Sequence, residues 1–388
     1  MISIVEAEHI IKSSSILLES ESLELLNSIG YYLSEDIFSP MQMPPFSQSA
    51  MDGYAVCGTA TTFTVVGEIQ AGDSNEYTLK TGEAYRIFTG AMIPEHTTSI
   101  AKQEIVERIG DSITLTENLK SGTSIRLAGE ELETGDLVLK KGTKINAAAI
   151  GVLSGLGIQT VSVFKKPRIT LVITGDELTK QGDTLVKGRI YESNSYTLQS
   201  ALSSLGYQSE IRLVKDDFLA TKNTINYAIN TSDLVIMTGG ISVGDYDFVG
   251  KALNELEVEQ KFYKVNQKPG KPLYYGEKGH VKVFGLPGNP AAVLTCFYVY
   301  VLTAIKTMMG ASHPDLIKTK VSLSHNHIKK GDRAHFLKAK LNTNSVQIHK
   351  GQSSAMLSSF VDANCLLYID ATTNQLKKDT LVDIYLLP

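Results

Sequence analysis

The sequence predicts a multidomain protein of class α/β plus β, with a three-layer α/β domain, a β-rich domain inserted ahead of it and a further β domain at the C-terminus. Two observations carry this reading. The 388 residues are too many for one ordinary core at about 150 residues per domain. Between residues 166 and 311, buried-strand runs alternate with helical ones at the spacing of a parallel sheet, while the flanking stretches hold short β-branched runs broken by Gly, Asp and Asn.

Each element has its own warrant. Ser3 and Glu6 make an S-x-x-E capping box ahead of Ile4, Ala7, Ile10 and Ile11, which share one face and predict an amphipathic helix. Residues 63–116 carry FTVVG, AYRIF, TSIAKQEIV and SITLT, the strands of a β-rich unit. From Arg126 the chain mixes Gly-punctuated strands with an alanine-rich helix and returns towards the N-terminal segment. The expected division is therefore a discontinuous linking domain (1–50 and 127–165), an insertion (51–126), the α/β domain (166–311) and the terminal β domain (312–388). In the α/β domain RITLVIT, EIRLV, DLVIMT and VKVFG read as strands, and 194–205, 217–229, 246–256 and the stretch after Pro290 as helices. KTKVSLSH, AHFLKAKL, SVQIHK, NCLLYID and TLVDIYLL read as the terminal strands.

Apolar residues at 43% and charged residues at 20% suit large buried cores. Lys plus Arg (37) against Asp plus Glu (41) leaves −4, so no global positive field recruits nucleic acid or a membrane surface, and any bound anion is met locally. Cys57, Cys296 and Cys365 form no CxxC or Cys/His cluster, so neither a disulfide framework nor a zinc site is signalled, which fits a reducing cytoplasm. MISIVEAEHI has acids where a signal peptide needs basic residues. The apolar run 291–305, about 15 residues, is shorter than the roughly 20 that span a bilayer and reads as a buried helix.

In an open parallel sheet, ligands bind beyond the carboxyl ends of the strands, where loops and helix N-termini present unpaired N–H groups. Three strand ends begin alike: Gly175-Asp176-Glu177, Gly239-Gly240-Ile241-Ser242-Val243-Gly244 and Gly285-Leu286-Pro287-Gly288-Asn289-Pro290. The glycines of GGISVGDYD fit either a phosphate cradle or a close-packed turn. GxGxxG and GxxxxGK[ST] are absent, which argues against a dinucleotide site and a P-loop. Asp247 together with Asp176 and Glu177 suits magnesium; the alternative is that the TGDE acids cap a turn. Lys268 and Lys271 in NQKPGKP sit on a proline-stiffened loop suited to an oxyanion or pyrophosphate, where a plain lysine pair is a solvated surface. Pro287-Gly288-Asn289-Pro290 sets a turn with a helix dipole aimed at the same ligand face. Residues 43–56 read as a loop broken at Asp52-Gly53, and Thr89-Gly90-Ala91 as a turn.

Taken in order, PPFSQSAMDGYAV, RIFTGAMIP with Glu104, ITGDEL, GRIYESNS, GGISVGDYD, KPGKP, GLPGNPAAV, GQSSAMLSSF and Ala363-Asn364 resemble the molybdopterin molybdenumtransferase family over essentially the whole chain. The resemblance implies a molybdopterin-binding, Rossmann-like three-layer α/β domain with an inserted β-rich domain and a C-terminal β-barrel-like domain. It implies a cytoplasmic transferase that inserts molybdate into adenylylated molybdopterin, releases AMP and uses Mg2+. Implied partners are a second copy of the chain, molybdopterin adenylyltransferase and the molybdoenzymes that take the cofactor. With no cysteine cluster, the sulfur ligands must come from the pterin, so molybdenum is substrate and not a resident metal.

Residue by residue, the resemblance implies that Gly239, Gly240, Ser242 and Gly244 cradle the phosphates and that Glu177 and Asp247 hold magnesium. Lys268, Lys271, Arg333 and Ser354 resemble the family's molybdate pocket, with Pro287 and Asn289 beside it. Asp52 and Thr89 match positions needed for activity, which in the family's homodimers approach the α/β domain of the other subunit in a composite site. Ser47 and Gln48 depart from the family's usual residues, and Lys338 stands where arginine is frequent. The enzyme of the preceding adenylylation step shares this α/β domain, but GGISVG in place of its GGTG, and the SAMDGYAV segment, argue against it. A scaffold role is disfavoured because the fused domain and long linker of the family's receptor-anchoring relative are missing.

Overall fold

The computed structural model describes residues 1–240 and 248–388. The chain falls into two compact units, one of Met1–Ser34, Lys141–Asn146 and Thr160–Pro388, the other of Glu35–Lys140 and Ala147–Gln159, a coarser division than the four segments expected from sequence. Helix α1 (Ile4–Ser14) begins at its capping box: Ser3 Oγ accepts the Glu6 N–H at 3.1 Å, and Glu6 Oε2 accepts the Ser3 N–H at 2.7 Å. It buries Ile4, Ala7 and Ile11 and leads to β1 (Ser20–Glu24).

In the second unit, β2 (Gly53–Val56), β3 (Thr62–Ile69), β4 (Glu83–Ile87), β5 (Ser99–Lys102), β6 (Val106–Ile109) and β7 (Ser112–Leu115) form one sheet in the order β5-β2-β4-β3-β7-β6. Two expectations are corrected here. The run TSIAKQEIV is broken by a 3-10 turn at Gln103–Ile105, and β2 lies within the stretch read as a loop. GYAV is buried at every position, and a strand covered on both faces loses the alternation that would reveal it. Gly53 is required there, since a Cβ would stand 2.0 Å from Ala101 O on β5. Ile37–Phe38 pairs with Leu137–Leu139, and the alanine-rich segment forms α2 (Ala147–Gly155).

In the first unit, β8 (Thr160–Phe164) pairs antiparallel with β1, bringing the chain back to the N-terminal segment. The α/β domain contains β9 (Ile169–Thr174), β10 (Glu210–Val214), β11 (Leu234–Thr238), β12 (Glu259–Lys264), β13 (Gln267–Lys268), β14 (Pro272–Lys278) and β15 (Val281–Leu286), with helices α3 (Asn194–Ser204), α4 (Phe218–Thr231) and α5 (Phe248–Glu255). Its sheet runs β10-β9-β11-β15-β14-β12. The first four strands are parallel, as expected, whereas β14 and β12 add an antiparallel edge. Their connection is far too short for a crossover, which fixes the antiparallel sense.

Helices cover both faces. Leu171, Ile173, Ile236 and Phe284 pack with α1, α3 and the helix after Pro290, while Val172, Val235 and Met237 pack with α4 and α5. The helix after Pro290 is buried as expected but is not uniform: α6 (Pro290–Cys296) and α7 (Leu302–Met308) flank a π turn at Phe297–Val301.

The C-terminal strands β16 (Lys318–Leu323), β17 (Ala334–Leu341), β18 (Ser345–Ile348), β19 (Cys365–Ile369) and β20 (Leu381–Leu386) follow the ring β17-β18-β16-β20-β19, which closes as a barrel through β17–β19 pairing. Leu323, Leu337, Val346, Leu367 and Ile384 fill it. β13 attaches outside the ring, parallel to β17.

Candidate active site

Since β12 is antiparallel to β14, and β14 to β15, β12 runs in the direction of the parallel strands. Residues 265–271 therefore leave the sheet at the same carboxyl rim as 175–177, 239–240 and 287–289. Chain direction alone gathers the expected ligand loops on one edge.

The first corner of this rim is tight backbone. Gly239 has φ +85, and a Cβ there would lie 2.2 Å from Thr174 O; one on Gly240 would lie 3.0 Å from Thr174 Oγ1. Only glycine lets the loops after β9 and β11 touch. The Thr174 and Thr238 hydroxyls are buried and have no hydrogen-bond partner among the described residues. Glu177 is exposed, its carboxylate turned over Gly175 at 2.7 Å from where a Cβ would stand. Asp176 and Asp216 bridge neighbouring loops, each carboxylate accepting the other's backbone N–H at 3.2 Å. Ser242, Gly244 and Asp247 lie outside the described residues.

The second corner is cationic. Lys268 and Lys271 are exposed on their loop, and the Arg333 Nη1 donates to Gln267 O at 3.1 Å. Gln267 is fully buried, donating to Gly270 O and accepting from the Tyr300 hydroxyl of the π turn. At Gly270, φ is +85 and a Cβ would fall 2.4 Å from Cys296 Sγ. Gly270→Ala is expected to cost about 2 kcal/mol of stability through overpacking, read as a lower denaturant midpoint at unchanged slope. Burial pushes the Cys296 thiol up to about 12 and the Cys365 thiol up to about 11, so neither supplies a thiolate at neutral pH. Among the described residues no group of three or more His, Cys, Asp or Glu could hold a metal.

The third corner corrects an expectation. Asn289 is the N-cap of α6, and its Nδ2 donates to Ser354 Oγ at 3.1 Å. The Ser354 carbonyl accepts the N–H groups of Ala291 (2.9 Å) and Ala292 (3.2 Å), so the first amides of α6 are occupied and do not face a ligand. Beside Pro287, Gly288 O accepts from Asn194 Nδ2 at 2.9 Å. Lys338 is buried and grips no phosphate: its Nζ donates to the carbonyls of Gly351, Ser353 and Met356. Those bonds hold the loop that carries Ser354.

In the second unit, Asp52 and Thr89 meet. Asp52 Oδ1 accepts the Thr89 N–H at 2.8 Å and its hydroxyl at 2.9 Å. These bonds hold the Asp52 carboxyl below its ordinary value, so it is ionised at neutral pH.

Sequence reasoning passed over Thr174, Thr238, Asn194, Asp216 and Gln267. The signal for Asp216 was available, because it stands two residues beyond β10 at the carboxyl rim.

Residues 2–157 match the MoeA N-terminal region (domain I and II), residues 170–307 a probable molybdopterin binding domain, and residues 320–387 the MoeA C-terminal region (domain IV). The molybdopterin molybdenumtransferase of Staphylococcus epidermidis is 31% identical over 399 residues, covering 99% of this chain and 95% of that protein. The Haemophilus influenzae enzyme of the same name is 33% identical over 364 residues, covering 91% and 90%. The crystal structure of a molybdopterin biosynthesis moeA protein from Pyrococcus horikoshii OT3 matches with a TM-score of 0.87 at 28% identity, covering 100% of both chains. With matching models along nearly all of its length and relatives of this identity, the chain belongs to the molybdopterin molybdenumtransferase family, transferases of molybdenum cofactor biosynthesis.

Proposed function

We propose that this chain inserts molybdate into adenylylated molybdopterin in the cytoplasm, releasing AMP and leaving molybdenum cofactor. The observation that carries the reading is the gathering of Gly239–Gly240, Glu177, the Lys268–Lys271 loop and Asn289 on one rim, with Arg333 bonded to Gln267 and Ser354 to Asn289. The glycine loop offers backbone amides to the adenylate phosphates. Lys268, Lys271, Arg333 and Ser354 offer several donors carrying fixed positive charge to the oxyanion.

Magnesium fits the donor chemistry. Glu177 is a water-accessible carboxylate on the rim that also carries Thr174 and Thr238, whose hydroxyls have no partner among the described residues, and Mg2+ prefers one or two carboxylates, its own waters and substrate phosphates. Glu177 and Asp247 would hold it, and the ion would draw charge off the phosphoanhydride. The chain's own residues orient the phosphates against the glycine loop and keep the oxyanion at the cationic corner. We further propose a homodimer in which Asp52 and Thr89 of each protomer serve the site of its partner, and exchange of substrate and product with molybdopterin adenylyltransferase and molybdoenzymes.

The test is AMP release from adenylylated molybdopterin with Mg2+, in the presence and absence of molybdate. Molybdate-dependent release is expected; release indifferent to molybdate sinks the reading. Within this assay, Lys271→Ala is expected to raise the apparent KM for molybdate about tenfold, or about 1.4 kcal/mol, while the KM for the pterin changes less than about twofold. Equal loss for both substrates contradicts the division of the site.

A further inference from the structure

The cationic corner holds a side chain with no role so far. The β13–β17 register sets Lys268 opposite His335, and Arg333, two residues before His335 at the entry to β17, ties itself to β13 by donating to Gln267 O at 3.1 Å. His335 is 6% exposed. The charged and titratable groups facing it are Lys268 from β13, Lys329 and Arg333 from the segment entering β17, and His327 from the short strand His327–Ile328. On the neighbouring strand its register partner is the apolar Ile369 of β19, which lines the barrel interior with Leu337. Lys329 is itself buried, its ammonium fixed by the carbonyls of Gly331 (2.9 Å), Arg333 (3.0 Å) and Ala371 (3.1 Å). Its charge cannot swing away.

Burial, and then these cations, push the His335 imidazole down to about 4. The ring is neutral while the corner is empty. A dianion seated among the same cations cancels their repulsion and adds an attraction of its own, which favours the protonated ring.

We propose that His335 is a further contact to the molybdenum oxyanion, taking up a proton as the dianion binds and delivering it to the oxygen that leaves the metal. This rests on the oxyanion site proposed above. When the dithiolene takes the metal, two Mo–S bonds form and one Mo–O bond breaks. The departing oxygen leaves as water, carrying one proton from the His335 imidazolium and one from solvent, with no change in oxidation state. The neutral ring is then reprotonated from solvent when the next dianion binds.

The test is titration calorimetry of the full-length protein with sodium molybdate near neutral pH, in two buffers of different ionisation heat, which reads proton uptake directly. Wild type is expected to take up protons on binding, and His335→Gln to bind more weakly with that uptake lost. Equal uptake in both proteins overturns the role of His335 and leaves the oxyanion site standing; no molybdate binding by wild type overturns both. Should the variant not fold, the His335 ring resonance of wild type is followed through pH with and without molybdate. An upward move of its titration on adding molybdate supports the proposal, and an unmoved titration overturns it.

Discussion

Lys338→Met is expected to lower stability by about 2–4 kcal/mol and to cut molybdate-dependent AMP release at least about tenfold. The methionine keeps the length of the side chain but removes the ammonium shared by the carbonyls of Gly351, Ser353 and Met356; the first and last keep the Ser359 hydroxyl, and Ser353 O loses its donor. A buried acceptor stripped of its partner costs its desolvation energy, so the loop opens to water. Ser354 then loses its place over Ala291 and Ala292, and its hydroxyl leaves Asn289. Denaturant unfolding and the AMP assay read the two effects separately. Lys338→Arg supplies donors to the same carbonyls and is expected to keep most of both properties. A methionine variant indistinguishable from wild type would mean that the loop is held by other contacts.

The proposed twofold arrangement makes the second large prediction. Asp52→Ala and Glu177→Gln are each expected to lower AMP release about a hundredfold or more, the first by removing the carboxylate anchored to Thr89 and the second by removing a charge on the phosphate rim. When the two inactive proteins are mixed and allowed to reassociate, half of the dimers are mixed, and each mixed dimer has one site with both carboxylates. Activity should return to about a quarter of wild type. If native mass spectrometry finds mixed dimers and no activity returns, each site is built within a single protomer.

Much of the α/β domain was legible because its parallel strands are near-continuous apolar runs, and because the carboxyl-end rule then points to TGDE, GGISVG and GLPGNP without further knowledge. The edge hairpin was not. EQKFYK has only Phe262 buried, and a strand so rich in charge carries no apolar run to announce it. The occupation of the first α6 amides was not legible for another reason: the acceptor, Ser354, lies more than sixty positions downstream, and no local pattern reports a contact of that span. Lys338 occupies a buried position of AHFLKAKL on the face opposite Leu337 and Ala339, where an apolar residue would also fit, and the three carbonyls around it explain a lysine there. The threonine hydroxyls at the ends of β9 and β11 look like ordinary strand residues until their lack of partners among the described residues is seen in three dimensions.

The attachment of β13 to the outside of a closed ring has a mechanical consequence. β13 pairs with the end of β17 that β18 leaves uncovered, so pulling the barrel away from that strand means rupturing backbone hydrogen bonds at Gln267 and Lys268. Lys268 and Arg333, one on each side of that seam, are therefore tied together through the backbone. In the proposed reaction, that tie would hold the two cationic side chains at one spacing for the oxyanion.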